Sequence, residues 1–279
     1  MNINPYMQAY DFTGQSFLLT GAGGVLGGAM ARALFECGAD VAILDYNLQA
    51  AQKMADSFVP GPGTGRVLTV QANVLEAEAV KAAVDQTLAA FGKIDGLVNA
   101  AGGNKPAATT GPDKSFFDLP TDAMRWVFDL NLLGTIIPSQ IVGRHMAERQ
   151  QGVMLNISSM NSFRPLTRIP AYAAAKAGVN SFTQWLAVHI AQEYSPHIRV
   201  NAIAPGFFQT EQNRFLLTDA ETGALTARGK QIIDHTPMGR FGVGDDLLGT
   251  TLWLLSPASA FVTGIIVPVD GGFSAYSGV

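Results

Sequence analysis

The feature that most constrains the fold is an alternation, along the whole chain, of short apolar runs and Ala-rich segments with helical spacing. Seven runs resemble strands: SFLLT (16–20), DVAILD (40–45), RVLTVQAN (66–73), GLVNAA (96–101), VMLNISS (153–159), IRVNAIAP (198–205) and GIIVPVDGG (264–272). Most of these runs are continuous rather than alternating, which is typical of strands covered by helices on both faces. The pattern therefore predicts an α/β fold, a doubly wound parallel sheet of seven strands.

No low-complexity linker or internal repeat divides the chain, so we expect one domain over residues 1–279. The longest stretch without strand character is 206–243, between the sixth and seventh strands. Its apolar spacing indicates one or two short amphipathic helices. A long excursion of this kind in a compact α/β domain is usually a lid or a substrate-binding segment, and we expect 206–243 to be a substrate lid.

Composition excludes several classes of function. The net charge is −4 without a basic run, which argues against nucleic acid as a partner. No apolar stretch approaches the ~20 residues of a membrane span, and the N-terminus has no secretory signal pattern. We therefore expect a cytoplasmic protein. The one cysteine, Cys37, and the four histidines show no metal-ligand spacing, so no metal is expected.

A glycine-rich stretch, TGAGGVLGG (20–28), follows the first predicted strand and leads into a predicted helix. In this context glycines permit a tight turn, and the helix N-terminus offers free N–H groups to a dinucleotide pyrophosphate. Val25 stands where one form of the motif has a glycine. Because a β-branched residue tolerates positive φ badly, we expect Val25 to open the helix. The turn then depends on Gly21, Gly23 and Gly24, and Gly27 allows close approach.

The ends of the next strands carry residues that suit a Rossmann-type nucleotide site. Asp45 ends the second strand, where a carboxylate can accept hydrogen bonds from ribose hydroxyls and repel a 2′-phosphate; this favours NAD over NADP. Asp45 could instead cap the following helix. Asn73 could hydrogen-bond the adenine edge through its side chain. The small residues of NAAGG (99–103) would let a cofactor lie across the strand tips.

The chemistry is indicated by SSMNSFRPLTRIPAYAAAK (158–176). Tyr172 and Lys176 are four residues apart in an Ala-rich stretch, so on a helix they share one face. Ser159 ends the fifth strand, and Asn131 lies on the preceding helix where it could reach the same cleft. Tyr172 could instead be a packed core residue and Lys176 a solvated surface residue.

These residues resemble the short-chain dehydrogenase/reductase superfamily, short type, over nearly the whole chain. The likeness runs from the glycine loop through NAAG, NISS, Y-x-x-x-K and RVNAIAPG (199–206) to VDGG (269–272). It implies that Tyr172 is the general acid/base and that Ser159 holds the substrate oxygen. Lys176 would lower the Tyr172 pKa and bind the ribose, and Asn131 would hold a water.

The resemblance also implies a set of cofactor contacts, a homotetramer and a small-molecule substrate. The expected NAD-binding residues are Gly21, Gly23, Gly24, Val25, Leu26, Gly27, Asp45, Asn73, Val74, Asn99, Ala100, Ala101, Gly102, Tyr172, Lys176, Pro205, Gly206 and Thr210. The tetramer would pack the long helices 121–149 and 172–194 across one interface, and the uncharged tail 273–279 suits burial against a neighbouring subunit.

Substrate-facing segments are similar to the D-mannonate oxidoreductase branch, which interconverts D-mannonate and D-fructuronate. The candidate substrate residues are Asn104, Asn161, Arg164 and Arg214. A guanidinium suits a carboxylate bidentately, so Arg164 or Arg214 would bind the acid group. Three alternatives stay open: a related substrate such as gluconate or a neutral polyol, a 3-oxoacyl thioester, and a non-catalytic NAD-binding regulator.

Overall fold

The computed structural model describes residues 4–209, 217–219 and 222–278. Seven strands form one sheet in the order β3-β2-β1-β4-β5-β6-β7, and every neighbouring pair is parallel. The strands are β1 (Ser16–Thr20), β2 (Asp40–Asp45), β3 (Val67–Gln71), β4 (Gly96–Asn99), β5 (Gly152–Ile157), β6 (Ile198–Pro205) and β7 (Ile266–Val269). The predicted doubly wound seven-stranded sheet is confirmed. Six strands lie inside their predicted runs, and β5 begins one residue earlier, at Gly152.

Helices connect the strands and lie on both sides of the sheet. In the described ranges they are α1 (Pro5–Gln8), α2 (Val25–Glu36), α3 (Leu48–Asp56), α4 (Ala77–Phe91), α5 (Thr121–Phe128), α6 (Gly134–Arg149), α7 (Pro170–Glu193), α8 (Ala227–Asp234) and α9 (Leu248–Leu255). The α5 and α6 helices are joined by a π-helical turn, Asp129–Leu133. None of the helices in the described ranges has the length and apolar character needed to cross a bilayer.

Two hydrophobic cores explain why the strand runs are continuous. In β1, Phe17 and Leu19 belong to the core beneath α2 and α9, whereas Leu18 belongs to the core beneath α4, α6 and α7. All three side chains are fully buried. Because successive side chains of a strand point to opposite faces, a strand buried on both faces needs apolar residues at every position.

The switch in strand order lies between β1 and β4, which pair directly although β2 and β3 intervene in sequence. In open parallel sheets, ligands bind outside the carboxyl ends of the strands at such a point. The glycine loop after β1 and the segment after β4 meet there, which positions the site described next.

Candidate active site

The glycine loop turns the chain from β1 into α2. Helix α2 begins at Val25, and its N-cap, Gly24, has φ −84° and ψ 167°. Gly21 has φ +64°, and Gln150 is the one non-glycine residue with positive φ in the described ranges. The prediction that Val25 opens the helix in right-handed geometry is therefore confirmed, and the left-handed position of the loop falls on Gly21.

Close approach explains the other glycines of the loop. A Cβ on Gly27 would lie 2.8 Å from the Gly21 carbonyl oxygen, so a side chain there would separate the helix from the loop. A Cβ on Gly23 would lie 2.9 Å from Asp45 Oδ2. At Gly24 the nearest atom would be the Gly21 oxygen, at 3.3 Å. Gly24 is thus less constrained than Gly21, Gly23 and Gly27.

A cavity of about 750 Å³ opens along the carboxyl ends of β1 to β4. Cofactor-sized sites fall in the range of roughly 300–1,000 Å³. Twelve residues expected to bind the cofactor line it: Gly21, Gly23, Gly24, Val25, Leu26, Gly27, Asp45, Asn73, Val74, Ala100, Ala101 and Gly102. The α2 N-terminus, with its free N–H groups, lies in the same wall. The cavity therefore offers a nucleotide the glycine turn, a carboxylate and apolar walls together.

Asp45 connects the second strand to the glycine loop. Its Oδ2 accepts a hydrogen bond from the Gly23 N–H at 3.0 Å, and its Oδ1 accepts one from Asn47 N–H at 2.9 Å. The N-cap of α3 is Asn47, whose side chain accepts from Gln49 and Ala50. Helix capping is therefore not the role of Asp45, which holds the loop at the cavity wall.

Two expected cofactor residues use their side chains elsewhere. Asn73 Nδ2 donates to Glu76 Oε1 at 2.8 Å, and its Oδ1 accepts from Leu75 N–H at 3.1 Å, so the amide is committed to the turn before α4. Asn99 is buried, and its Nδ2 donates to Ser139 Oγ and Asn156 Oδ1, both at 2.9 Å. These two hydrogen bonds connect β4 to α6 and to β5, so the Asn99 amide is held inside the protein and does not line the cavity.

Asn131 lies in the π-helical turn between α5 and α6, and its side chain is fully buried. Its Nδ2 donates to the carbonyl oxygens of Gly103 and Val127 at 2.6 and 2.7 Å, and its Oδ1 accepts from Gly103 N–H at 3.1 Å. Single π turns inside α-helices are frequent at functional sites. Here the turn aims the amide at the segment after β4.

Tyr172 and Lys176 lie on α7, one turn apart, as the spacing predicts. Lys176 is buried, and its Nζ donates to the Ile157 carbonyl oxygen at 2.7 Å. The same Nζ lies 5.7 Å from the centroid of the Tyr172 ring. A Cβ on Gly102 would come within 3.2 Å of Lys176 Nζ and 2.8 Å of Asn131 Oδ1. The cavity wall at Gly102 therefore adjoins both of these side chains.

Ser159 follows β5 and caps a short 3₁₀ turn, Met160–Ser162, with its Oγ accepting from Asn161 N–H at 3.2 Å. Burial raises the pKa of the Tyr172 phenol, and its hydrogen bond with the Ser159 hydroxyl lowers it. Burial also lowers the pKa of Lys176 to about 8. In the protein alone, the Ser159 hydroxyl opposes the effect of burial on the Tyr172 pKa. That Lys176 also lowers the pKa of Tyr172 stays a prediction.

This arrangement can move a proton. The Tyr172 phenol, the Ser159 hydroxyl and the Lys176 ammonium group form one cluster beside the cavity wall at Gly102. A substrate oxygen placed against Tyr172 and Ser159 could gain or lose a proton there. Among the described residues no group of three His, Cys, Asp or Glu side chains could hold a metal ion.

The expected substrate residues lie in different surroundings. Asn161 is buried and its Oδ1 accepts from Leu166 N–H at 2.7 Å, whereas Asn104 is exposed and its Nδ2 donates to Thr109 Oγ1 at 2.9 Å. Arg164 is exposed, and its Nε donates to the Ser274 carbonyl oxygen at 3.1 Å. Thr210 and Arg214 lie outside the described residues.

Pro205 and Gly206 end β6 against the turn after β7. A Cβ on Gly206 would lie 2.6 Å from Asp270 Cα, so this glycine permits a close backbone crossing. Neither residue lines the cavity described above. Their expected contact with a cofactor stays a prediction.

The sequence alone did not indicate several residues of the cavity wall, among them Tyr46, Leu75, Trp126 and Leu130. Tyr46 directly follows Asp45, and Leu130 directly precedes Asn131, so adjacency to an expected site residue was the available signal for both. Trp126 has an amphipathic helical context that favours packing.

Comparison with known proteins agrees with this geometry. A family model described as enoyl-(acyl carrier protein) reductase, within the short-chain dehydrogenase/reductase family, matches residues 21–274. An uncharacterized oxidoreductase of Bacillus subtilis (strain 168) is 44% identical over 278 residues, covering 96% of this chain and 98% of that protein. The 2-dehydro-3-deoxy-D-gluconate 5-dehydrogenase of Escherichia coli (strain K12) is 33% identical over 272 residues, covering 96% and 99%.

Among solved structures, a Haemophilus influenzae protein provisionally named D-mannonate oxidoreductase, with bound NAD, superposes with a TM-score of 0.88. It is 44% identical and covers 98% of this chain and 100% of that chain. The matches span nearly the full length of both partners, and they include the glycine loop and the Ser159–Lys176 segment. The chain therefore belongs to the short-chain dehydrogenase/reductase family of oxidoreductases.

Proposed function

We propose that the protein is an NAD-dependent oxidoreductase that interconverts a secondary alcohol and a ketone on a sugar acid, D-mannonate and D-fructuronate in the first place. The observation that carries the reaction class is the clustering of Tyr172 with Ser159 and Lys176, next to the point where Lys176 and Asn131 adjoin Gly102 of the cavity wall. The NAD bound by the Haemophilus influenzae neighbour supports the cofactor, and the name of that neighbour supports the substrate.

When bound, NAD supplies the hydride acceptor for alcohol oxidation. The chain supplies the proton transfer: Tyr172 takes the hydroxyl proton, and Ser159 donates a hydrogen bond to the substrate oxygen as its charge changes. Lys176, held by the Ile157 carbonyl, favours the phenolate as a nearby positive charge. Asn131, bound to Gly103 on both its amide atoms, keeps the adjoining wall in place.

For the acid group we propose Arg164, with Arg214 as the alternative. The Arg164 Nε is held by the Ser274 carbonyl, which fixes the guanidinium between the segment after Ser159 and the C-terminal turn. Its Nη atoms have no hydrogen-bond partner among the described residues, so both remain able to bind a carboxylate.

An NAD-reduction assay over hexonates and their neutral polyol analogues tests this proposal. Arg164→Ala is expected to raise KM for the acid about tenfold or more, as loss of a hydrogen bond to a charged group does, and to change KM for the neutral analogue by less than about twofold. Arg144→Ala, an exposed arginine on α6, is the control for net charge. Equal effects of Arg164→Ala on acid and neutral substrates would contradict the assignment, and Arg214→Ala would then be tested alone.

Asp45 provides a separate test of the cofactor. Asp45→Asn removes the charge but leaves an acceptor for the Gly23 N–H, and Asp45→Ala removes both. We expect both variants to lose discrimination against NADP by roughly 10-fold or more, and Asp45→Ala alone to weaken NAD further because the loop is released. Dissociation constants for NADH and NADPH measure this. An unchanged NADP-to-NAD ratio in both variants would exclude Asp45 from cofactor choice.

We further propose one domain over 1–279, with 206–243 as the substrate lid, acting as a cytoplasmic homotetramer. A reaction that draws on free NAD suits that location. An exposed aromatic row at the C-terminal end of α7 supports the assembly: Trp185 on the helix and Tyr194 directly after it are 57% and 52% exposed, and His189 lies between their rings. Light scattering that gives the mass of a single 29.5 kDa chain would contradict the tetramer.

A further inference from the structure

Lys105 lies beside the nucleotide cavity on the face of an aromatic side chain. Its Nζ is 4.5 Å from the centroid of the Trp126 ring, and Trp126 forms part of the cavity wall. Trp126 is 39% exposed, and Lys105 is half-buried. Such a cation–π contact restricts the ammonium group without neutralising its charge, so Lys105 presents a fixed positive charge at the edge of the cavity.

The backbone that carries Lys105 is held to the catalytic cluster. Two residues before it, Gly103 exchanges two hydrogen bonds with Asn131, of 3.1 and 2.6 Å. The Lys105 carbonyl accepts from Thr109 Oγ1 at 3.1 Å and from Ala108 N–H at 3.0 Å. Gly102, which adjoins Lys176 Nζ, is three residues away, a span of at most roughly 11 Å in an extended chain. The position of the ammonium group is therefore set relative to the reacting end of the cavity.

The charge of Lys105 is not used within the part of the chain that the structure describes. None of the ion pairs there includes it, and its Nζ donates to none of the hydrogen-bond acceptors there. Lys114, in the same loop, differs because its Nζ donates to the Pro106 carbonyl oxygen at 3.4 Å. Lys105 thus keeps three N–H donors for a ligand.

The cavity wall, in contrast to Lys105, carries negative charge. Counting only described residues, its wall contains one charged side chain, the carboxylate of Asp45. The proposed ligands are anionic, since NAD carries a pyrophosphate and a sugar acid carries a carboxylate. The α2 N-terminus contributes partial charges at one end of the site, and Lys176 is directed to the Ile157 carbonyl. A full positive charge near the rim is supplied by Lys105.

We propose that Lys105, held on Trp126, is an anion-binding residue of this site and donates to an anionic oxygen of a bound ligand, either the cofactor pyrophosphate or the substrate carboxylate. This inference rests on the proposed NAD-dependent activity and adds a specificity-determining residue to it. Trp126 is the positioning residue, because it touches the ammonium group and limits where that group can lie.

Lys105→Met tests the proposal, with Lys105→Arg as the conservative variant and Lys114→Met as the matched control for net charge. The measurements are the dissociation constants of NADH and ADP-ribose, and KM for the acidic and the neutral substrate, each at low and high ionic strength. We expect Lys105→Met to weaken one anionic ligand about tenfold or more. Lys105→Arg should restore most of the loss, and added salt should reduce the difference.

Comparing the ligands shows which anionic group Lys105 binds. Equal losses for NADH and ADP-ribose assign Lys105 to the pyrophosphate, whereas a loss confined to KM for the acid assigns it to the carboxylate. Either result supports the proposal. No change in any of these constants, or a loss that arginine does not restore and salt does not alter, overturns it. If the wild-type protein oxidises no sugar acid, the proposed substrate is wrong, and the NADH and ADP-ribose constants alone decide the role of Lys105.

Discussion

Replacing Tyr172 by Phe is expected to lower kcat for alcohol oxidation by roughly 10²- to 10⁴-fold, the range for loss of a positioned general acid–base group. The substitution removes one hydroxyl and keeps the ring, which packs beside Ala171 and Ala123 in a small apolar cluster of α5 and α7. The cation–π contact with Lys176 can persist, since it involves the ring. The affinity for NADH should therefore fall by no more than about tenfold, the cost of losing one neutral hydrogen bond, since Tyr172 is also an expected NAD contact.

The pH profile separates a catalytic role of Tyr172 from a structural one. Burial raises the pKa of this phenol, and oxidation requires the phenolate, so kcat/KM of the wild-type protein should increase with pH in the alkaline range. Tyr172→Phe should lose that dependence together with its activity. Lys176 belongs to the same titrating cluster, since its pKa is about 8, and the profile then reports the cluster rather than one residue.

Tyr194→Phe is the matched control, since it makes the same chemical change on an exposed tyrosine directly after α7. It should retain wild-type kcat. Wild-type turnover in Tyr172→Phe would exclude Tyr172 as the acid/base. A wild-type protein that binds NADH but oxidises none of the tested alcohols would instead favour the non-catalytic regulator.

The parts of the fold that follow from local pattern could be predicted from the sequence. Six of the seven strands lie within their expected runs and β5 begins one residue before its run, because a strand buried on two faces needs consecutive apolar residues. The start of α2 at Val25 also followed from one residue, since a β-branched side chain resists the left-handed conformation that Gly21 adopts. In both cases the structure follows from a property of the residue itself, its hydrophobicity or its allowed backbone conformation, and not from a distant partner.

Side-chain partners could not be predicted, because they depend on segments far apart in sequence. Asn99 was expected at the cofactor, yet its amide is captured by Ser139 and Asn156, 40 and 57 residues away. The pKa of Tyr172 is raised because the phenol is buried by its surroundings in the fold. The spacing of residues in the sequence gives no information about that burial. Lys105 is singled out by the contact of its ammonium group with Trp126, which lies 21 positions later in the sequence.

Replacing Gly21 in the glycine loop by Ala is expected to lower both the stability of the fold and the affinity for NADH. Gly21 has φ +64°, and a Cβ built on it would lie 2.6 Å from Ala101 Cα and 2.7 Å from Ala101 N. These atoms cannot move freely, because Ala100 N–H donates to the Thr20 carbonyl and Ala101 N–H to Thr20 Oγ1, both at 3.2 Å. Gly21→Ala must therefore separate the ends of β1 and β4, which also form the wall of the cavity.

Gly14→Ala is the control that isolates the clash. Gly14 has φ +73°, and a Cβ there would meet no atom within 4 Å. Gly14→Ala therefore lowers the unfolding free energy only through the strained backbone conformation, by about 1 kcal/mol. Gly21→Ala adds overpacking against backbone, which brings the loss of unfolding free energy to about 3 kcal/mol or more. The expected falls in Tm are roughly 2–4 °C for Gly14→Ala and about three times that for Gly21→Ala.

Cofactor binding distinguishes a displaced loop from a merely less stable protein. At a temperature where both variants are folded, Gly14→Ala should bind NADH like the wild type, because Gly14 lies outside the cavity wall. Gly21→Ala should bind it at least about tenfold more weakly, since the turn that brings the backbone to the pyrophosphate is displaced. Equal Tm and equal NADH affinity in the two variants would mean that the loop relaxes around the new methyl group, and that close contact with Ala101 is not what requires glycine at this position.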